Sequence, residues 1–173
     1  MKRNRRSYSI AALGAAVLAS VAVVGGAGAT AEQAAPDKNI VQTAAGAGQF
    51  TTLIALAKQA GLAGALSGPG KLTVFAPTDK AFAKVPKATL RKLQRNKAQL
   101  RSVLLYHVVK GNVKAAQVVK LRRAKTLNGA YVRIGVKGQR VYLNRTTRVT
   151  KTDVGASNGT IHVIDGVLIP PAS

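Results

Sequence analysis

The chain has 173 residues and a net charge of +22, with five acidic residues, two histidines and no cysteine. This length suits one domain of ordinary size, and the lack of cysteine excludes a disulfide scaffold, so a packed core must supply the stability. The positive charge attracts polyanions such as acidic wall polymers, anionic polysaccharides, phospholipid surfaces and nucleic acid, although net charge alone identifies none of them.

The N-terminus has the pattern of an export signal. Four cations precede an apolar stretch from Ile10 to Val24, and the small residues of 27–29 fit a cleavage site. The alternative is a retained membrane anchor, but the stretch is short for a hydrocarbon core about 30 Å thick. We therefore predict a signal peptide over 1–29, a flexible lead-in over 30–38 and one domain over 39–171.

Removal of this leader lowers the net charge by four, to +18, because all five acidic residues lie after it. A second cleavage site ends at Ala31, and the pair Arg5-Arg6 leaves the export route open between general secretion and twin-arginine export. The predicted localisation is secreted, extracellular or associated with the cell envelope.

Helical spacing begins the domain. Apolar residues recur three or four positions apart from Phe50 to Ala57, which predicts a helix that ends before Gly61. Residues 67–70 predict a turn, and residues 71–76 predict a short buried strand that Pro77 ends.

Three local signals predict further helices. Thr78 is a plausible N-cap for a short helix that contains Phe82, and Pro86 suits the first turn of the next helix. Asn96 with Gln99 resembles a capping pair, so another helix is predicted from Lys97. The expected inward-facing residues of the last two helices are Leu90, Leu93, Leu100, Val103 and Leu104.

From Tyr106 onward the apolar period changes to two, so Tyr106 is predicted to start the strand region. Asn128-Gly129 predicts a hairpin, and apolar residues alternate with polar ones from Tyr131 to Val136. Further strands are predicted at 141–143, 149–154 and 160–169, with a loop at 155–159. Because helices come first and strands later, the pattern predicts an α+β fold.

Few residues could build an active site. Residues 155–159 match G-x-S-x-G, but a strand is predicted to follow, and no histidine lies beyond the later Asp165, so a turn is the better interpretation. His107 and His162 each lie in an apolar run, which favours buried structural side chains over metal ligands. We predict no catalytic residue, no metal ligand and no cofactor.

A basic cluster follows the first predicted strand. Lys84, Lys87, Arg91 and Arg95 are spaced by three or four residues, so they share one face if the helices are continuous. Arg101 adds a cation on the following helix. Such a face is either simply solvated or binds anionic groups such as phosphate and sulfate.

Three ordered segments resemble the fasciclin domain. Leu72–Phe82 is similar to the first signature block of that family, Tyr106-His107 to its Tyr-His motif, and Ser157–Leu168 to its second block. The resemblance covers 39–170. The residues that carry the two blocks are Phe75, Pro77, Thr78, Phe82, Asn158, Gly159, His162 and Asp165.

The resemblance implies an α+β domain formed by a wedge of two β-sheets with several packed helices. It also implies a secreted or surface-attached adhesion or matrix module that is not an enzyme. In animal members an Asp-Ile pair and the Tyr-His motif are regarded as integrin contacts. The matching positions are Asp153-Val154, where Val replaces Ile, and Tyr106-His107. A structural role for the same residues is the interpretation that we prefer.

Two functions are therefore expected, and they differ in the partner. The first is a non-enzymatic extracellular interaction module that binds extracellular or envelope proteins. The alternative is a charge-driven binder of anionic envelope polymers or lipid surfaces, which includes contact with a membrane surface. Specific nucleic-acid binding is not expected, because few aromatic residues are free to stack on bases. The sequence assigns no oligomeric state.

Overall fold

A computed structural model describes residues 37–171 and places seven helices and seven strands in that range. The helices are α1 (Ile40–Gly46), α2 (Thr51–Gln59), α3 (Ala63–Ser67), α4 (Asp79–Ala83), α5 (Lys87–Arg95), α6 (Lys97–Tyr106) and α7 (Ala115–Val118). The strands are β1 (Leu72–Pro77), β2 (Val108–Lys110), β3 (Arg123–Lys125), β4 (Tyr131–Lys137), β5 (Arg140–Leu143), β6 (Thr147–Ala156) and β7 (Gly159–Ile164). None of the helices between 37 and 171 combines the length and apolar character needed to cross a bilayer.

The predicted signal peptide, 1–29, lies outside the described residues, as does most of the predicted lead-in, 30–38. Lys38 already belongs to the domain, because its carbonyl oxygen accepts a hydrogen bond from the Ser157 backbone N–H at 2.9 Å.

Local signals place the helix ends as the sequence predicts. Gly61 follows α2 with φ of 71°, a conformation that glycine adopts without a steric penalty. The Thr78 hydroxyl accepts a backbone N–H of the first turn of α4 at 3.3 Å. The Asn96 side chain does the same for α6 at 3.1 Å. These caps satisfy N–H groups that have no partner inside their helices.

The strands form one sheet in the order β2-β1-β7-β6-β5-β4-β3. The central strands β1 and β7 are parallel, and every residue of both is buried. This burial explains why neither sequence alternates between apolar residues and exposed polar ones. The peripheral strand β4 buries Val132 and Ile134 and exposes Arg133 between them, as a strand with one solvated face does.

The sheet bends until its two ends nearly meet. Strand β6 pairs with β5 at its start and with β7 along the rest of its length, with register irregularities between Val149 and Lys151 and between Lys151 and Val154. Such irregularities bend a strand and increase its twist. An isolated bridge between Val109 and Thr126 joins β2 to the segment after β3. The α+β prediction is confirmed, and the two halves of the expected wedge are continuous through β6.

Two apolar cores lie on opposite sides of β1 and β7. One packs α1, α2 and α6 against alternate strand residues such as Val74 and Ile161. The other packs Phe75 and Ile164 against β4, β5 and β6. Because neighbouring residues of a strand point to opposite faces, each central strand contributes to both cores.

Three boundaries differ from the sequence expectations. Tyr106 is the last residue of α6, since burial of one helix face continues through it. The final strand ends at Ile164, well before the predicted 169. The predicted loop at 155–159 is a tight turn, because Ala156 pairs directly with Gly159. The short helices α1, α3 and α7 were not separately predicted, because small or few side chains give little apolar periodicity.

The tight turn between β6 and β7 ties three elements together through Asn158. Its side-chain oxygen accepts the Ile40 backbone N–H at the start of α1 at 2.8 Å. Its amide nitrogen donates to the carbonyl oxygens of Leu66 at 2.8 Å and Gly68 at 3.0 Å, at the end of α3. Its own carbonyl oxygen accepts from Leu72 N–H at 3.0 Å. One buried side chain therefore fixes a helix start and a helix end beside the central strand.

The next residue, Gly159, lies against the backbone of β1. Its φ is 157°, and a Cβ at this position would overlap the Leu72 carbonyl oxygen and lie 3.0 Å from the Cδ1 atom of Ile40. Backbone cannot move aside as a flexible side chain does, so this position requires glycine.

Replacement of Asn158 by Ala should lower the free energy of unfolding by about 2–4 kcal/mol, because several buried hydrogen-bonding groups lose their partner. Asn158→Asp should also be destabilising, since it keeps the acceptor for Ile40 but turns an oxygen toward two carbonyl groups. Urea denaturation measures both changes. The neighbouring exposed Ser157→Ala is the control and should change stability by less than about 0.5 kcal/mol. Similar values for Asn158→Ala and Ser157→Ala would contradict the assigned role.

Substitution of Gly159 by Ala should prevent stable folding or lower the melting temperature strongly, because the added methyl group overlaps the β1 backbone. The matched control is Gly135→Ala in β4, where an added Cβ meets nothing within 4 Å and φ needs no glycine. Circular dichroism melting curves compare the two variants. A Gly159→Ala protein that melts like the control would refute the close approach.

Candidate functional site

His162 joins the two signature blocks inside the protein. Its ring stacks on Phe75 with centroids 5.6 Å apart. Nε2 lies 2.8 Å from the Val113 carbonyl oxygen, and Nδ1 accepts the Asp153 N–H at 3.3 Å. These partners require a neutral ring with the proton on Nε2. Burial lowers the pKa of His162, against the opposing effects of the Val113 carbonyl and Asp153. The ring is a structural connector, as the sequence predicts.

His107 has the same kind of role at the end of α6. Its Nδ1 lies 2.8 Å from the Val103 carbonyl oxygen, and its Nε2 accepts the Leu168 N–H at 2.9 Å. The ring thereby holds the segment after β7 against α6. Complete burial lowers the pKa of His107 to about 4, although the hydrogen bond to Val103 acts in the opposite direction. The folded state therefore keeps this histidine neutral.

Tyr106 and His107 do not reach the surface of the folded domain. Each is only 1 % exposed. The Tyr106 hydroxyl donates to the Tyr131 carbonyl oxygen at 3.1 Å and accepts from the Asn144 side chain at 3.1 Å. Tyr106 thus connects α6 to β4 and to the turn after β5.

The other predicted contact pair lies nearer to solvent. Asp153 is exposed and has φ of 56°, while Val154 is half-buried and packs against the helical core. The Asp153 carboxylate accepts the Ala115 N–H at 2.8 Å, so it caps α7. Tyr106-His107 and Asp153-Val154 therefore do not form one exposed patch; the chain of contacts between them runs through buried Phe75 and His162.

The first block contains two caps. Thr78 caps α4, and Asp79 caps α2 from a distance by accepting the N–H groups of Thr52 at 2.8 Å and Thr51 at 3.3 Å. Burial tends to raise the pKa of Asp79, but the hydrogen bonds from Thr52 and Thr51 outweigh it, so the pKa is lowered. Sequence reasoning missed this cap, since nothing local shows that β1 delivers Asp79 to α2. Pro77 and Phe82 are buried beside it.

Asp165 closes the second block. Its carboxylate accepts the Arg148 N–H at 2.9 Å, and its carbonyl oxygen accepts from the Lys84 ammonium group at 3.0 Å. Asp79, Asp153 and Asp165 share one structural role in this domain. Each of these carboxylates is hydrogen-bonded to backbone N–H groups.

The basic cluster divides at Pro86. Lys87, Arg91 and Arg95 lie four residues apart on α5 and share one exposed face, which we call the α5 basic face. Lys84 lies beyond Pro86 at the end of α4, so it does not continue this face. Arg101 is exposed on α6. The conditional prediction of one continuous face thus holds for α5 alone, because the chain breaks its helix between residues 84 and 87.

A second basic feature was missed from the sequence. Four arginines line a surface cleft of about 400 Å³ at the β3, β4 and β5 end of the sheet. The sequence shows that Arg133 alternates with apolar residues along β4, but it does not show the strand register that brings the other arginines beside Arg133. We call this feature the arginine cleft; its residues are Arg122, Arg123, Arg133 and Arg145, with Ile134 and Gly135.

The G-x-S-x-G match does not form a nucleophile elbow. Ser157 lies in the tight turn between two strands, and its backbone N–H is bound to the Lys38 carbonyl oxygen. A nucleophile elbow requires a strand followed by a helix that directs the serine into a pocket. The turn instead joins β6 to β7 and binds the segment that precedes α1.

Comparison with known proteins agrees with this architecture. The fasciclin domain model matches residues 48–170. Protein sll1483 of Synechocystis sp. is 46 % identical over 147 residues, which cover 83 % of this chain and 81 % of that protein. Transforming growth factor-beta-induced protein ig-h3 of Sus scrofa is 35 % identical over 124 residues, which cover 72 % of this chain and 18 % of that protein.

A solved structure shows the same fold. The chain aligns with a FAS1 domain pair from the insect cell adhesion molecule Fasciclin I with a TM-score of 0.63 and 19 % identity. The alignment covers 80 % of this chain and 52 % of that chain. The expected fold family is confirmed, and this chain corresponds to about half of the solved domain pair.

Stability should depend on pH through His107. The unfolded ring takes up a proton near pH 6.5, whereas the folded ring stays neutral down to about pH 4. The free energy of unfolding should therefore be fully retained above pH 6.5 and fall by roughly 3 kcal/mol as the pH decreases to about 4.

Urea denaturation between pH 4 and 7.5 tests this dependence. His107→Gln should be less stable at pH 7, because the Val103 and Leu168 groups lose well-aligned partners, and its stability should change less with pH. His162→Gln should keep the His107 contribution. An unchanged pH dependence in His107→Gln would overturn the assignment.

Proposed function

Because the chain belongs to the fasciclin domain family, we propose that it is a secreted, non-enzymatic module for adhesion or other extracellular interactions. The family match extends over residues 48–170, and the matched solved domain pair comes from a cell adhesion molecule. The predicted leader supports export, since cations, an apolar stretch and small residues follow in the order typical of a signal peptide. Extracellular or envelope proteins are the partners that this function implies.

The choice of partner rests on a difference between acidic and basic side chains: the acidic ones are hydrogen-bonded within the domain, and the basic ones are exposed. The carboxylates of Asp79, Asp153 and Asp165 are each occupied by backbone N–H groups. The cations of the α5 basic face, in contrast, are exposed. A surface of this kind attracts anionic partners and can contact them without burying an unpaired charge.

A second candidate function follows from the α5 basic face. Lys87, Arg91 and Arg95 are successive helical neighbours, so they can meet successive anionic groups of a polymer. We propose that this face binds anionic envelope polymers or an anionic lipid surface through charge, with counterion release as the driving force. Such binding needs no strict recognition of sugar or sequence, and Arg101 is a further exposed cation on the next helix, α6.

The two functions differ in salt dependence. The exported protein should bind a poly(glycerol phosphate) polymer, and the affinity should fall roughly 20- to 40-fold between 50 and 200 mM salt if about three cations are involved. Neutralisation of Lys87, Arg91 and Arg95 to Gln should weaken binding and reduce this slope. Biolayer interferometry at several salt concentrations measures both quantities.

The matched control neutralises Lys125, Arg140 and Arg148 to Gln, which removes the same charge from exposed strand positions. Equal losses from both triple variants would show that total charge, and not the α5 basic face, controls binding. A polymer affinity that does not change with salt would contradict the charge-driven function. Capture of an envelope protein at high salt by both triple variants would support the adhesion module instead.

A further inference from the structure

The arginine cleft brings together arginines from separate segments of the chain, whereas the α5 basic face lies on one helix. Arg123 of β3 and Arg133 of β4 are directly opposite each other in the antiparallel pair. Like charges in this arrangement destabilise a sheet. Arg122 lies at the same end, since its carbonyl oxygen accepts the Ile134 N–H at 2.8 Å. The cleft is lined by these arginines, Arg145, Ile134 and Gly135, and by no acidic residue.

The fourth arginine is brought in by a turn with unusual backbone geometry. Asn144 and Arg145 have φ of 50° and 67°, values that residues other than glycine adopt at a cost. The turn is held by Asn144, whose side-chain oxygen accepts the Arg133 N–H at 3.0 Å and whose N–H donates to the Arg133 carbonyl oxygen at 2.8 Å. The Asn144 side-chain nitrogen also donates a hydrogen bond to the buried Tyr106 hydroxyl at 3.1 Å.

One of the guanidinium groups has an aromatic partner. The Arg123 guanidinium carbon lies 4.8 Å from the centre of the Tyr131 ring, a distance typical of a cation–π contact. The contact holds this charge near the other arginines without neutralising it. The nearest acidic residue in sequence, Asp153, is occupied by the start of α7. A bound anion would therefore relieve a repulsion that the domain itself leaves uncompensated.

We propose that the arginine cleft is a binding site for a phosphate-bearing anion with at least two phosphate groups. Guanidinium groups present paired N–H donors that match phosphate oxygens in a two-point geometry, which lysine cannot reproduce. Four such groups around one cleft suit a ligand with several phosphate oxygens. This site is separate from the α5 basic face and does not depend on the function proposed for that face.

The test uses inorganic pyrophosphate as the probe and isothermal titration calorimetry of the full exported protein. Arg133→Gln combined with Arg145→Gln should weaken binding roughly tenfold or more, because charge-assisted hydrogen bonds are lost. The matched control, Arg140→Gln combined with Arg148→Gln, removes the same charge from the neighbouring strands and should change the affinity less than about twofold. Equal weakening in the two pairs, or no binding by the unaltered protein, would overturn the proposal.

Further measurements separate phosphate recognition from charge and from misfolding. Arg133→Lys combined with Arg145→Lys keeps the charge and should still weaken binding, whereas full affinity in this variant would contradict two-point recognition. Citrate, an anion of similar charge at neutral pH, should bind more weakly than pyrophosphate, and equal binding would also contradict it. Pyrophosphate should raise the melting temperature of the unaltered protein and the control, but not of the Gln pair at the cleft.

The source of the phosphate is resolved by a vesicle measurement. Phosphatidic acid vesicles, in which neighbouring headgroups together present several phosphate groups, are compared with pyrophosphate at equal phosphate concentration, with the cleft and control pairs in both arms. Vesicle binding that the cleft pair loses and the control keeps would assign a lipid phosphate to the cleft. Pyrophosphate binding without cleft-dependent vesicle binding would assign a free or polymer-borne phosphate. A cleft pair that matches its control in both arms would reject the site.

Discussion

The turn between β6 and β7 is the constraint on which the helical half of the domain depends. Asn158 binds the start of α1, the end of α3 and the start of β1 through its side chain and its own carbonyl group. Gly159 then allows β7 to lie directly against β1, where any side chain would overlap the Leu72 carbonyl group. A hairpin cannot join two parallel strands, so the chain between β1 and β7 forms a long crossover, and this turn positions β7 at the end of it.

The two buried histidines likewise connect segments of the fold that are distant in sequence. His107 connects α6 to the segment after β7, and His162 connects β7 to Val113 and to the backbone of Asp153. Each ring uses one nitrogen as a donor and the other as an acceptor, so neutral histidine meets both needs where no other side chain offers the same pair of groups at that spacing. The most recognisable residues of the signature blocks are therefore occupied in holding the domain together.

Both proposed binding regions lie on the surface of this domain, where cations far outnumber carboxylates. The acidic residues Asp79, Asp153 and Asp165 cap or hold backbone segments and do not neutralise the basic regions. The α5 basic face is a row of charges along one helix, whereas the arginine cleft is lined by four arginines from different segments of the chain. The first suits a polymer that binds by charge alone, and the second suits an anion that is recognised through directed hydrogen bonds.

The sequence by itself determined the features that depend on neighbouring residues. The caps at Thr78 and Asn96, the glycine end of α2, the hairpin at Asn128-Gly129 and the buried run of β1 all follow from local chemistry. The three ordered blocks also identified the family, and with it the α+β fold. The structural roles of His107 and His162 were predictable because an uncharged ring is favoured in an apolar run.

Only the tertiary structure decided which distant residues meet. The cap that Asp79 provides for α2, the three-way binding by Asn158 and the grouping of Arg133 with Arg145 depend on strand register and on how the sheet bends at β6. Spacing along the chain cannot supply this information, because a single change of register moves every side chain of a strand to the opposite face.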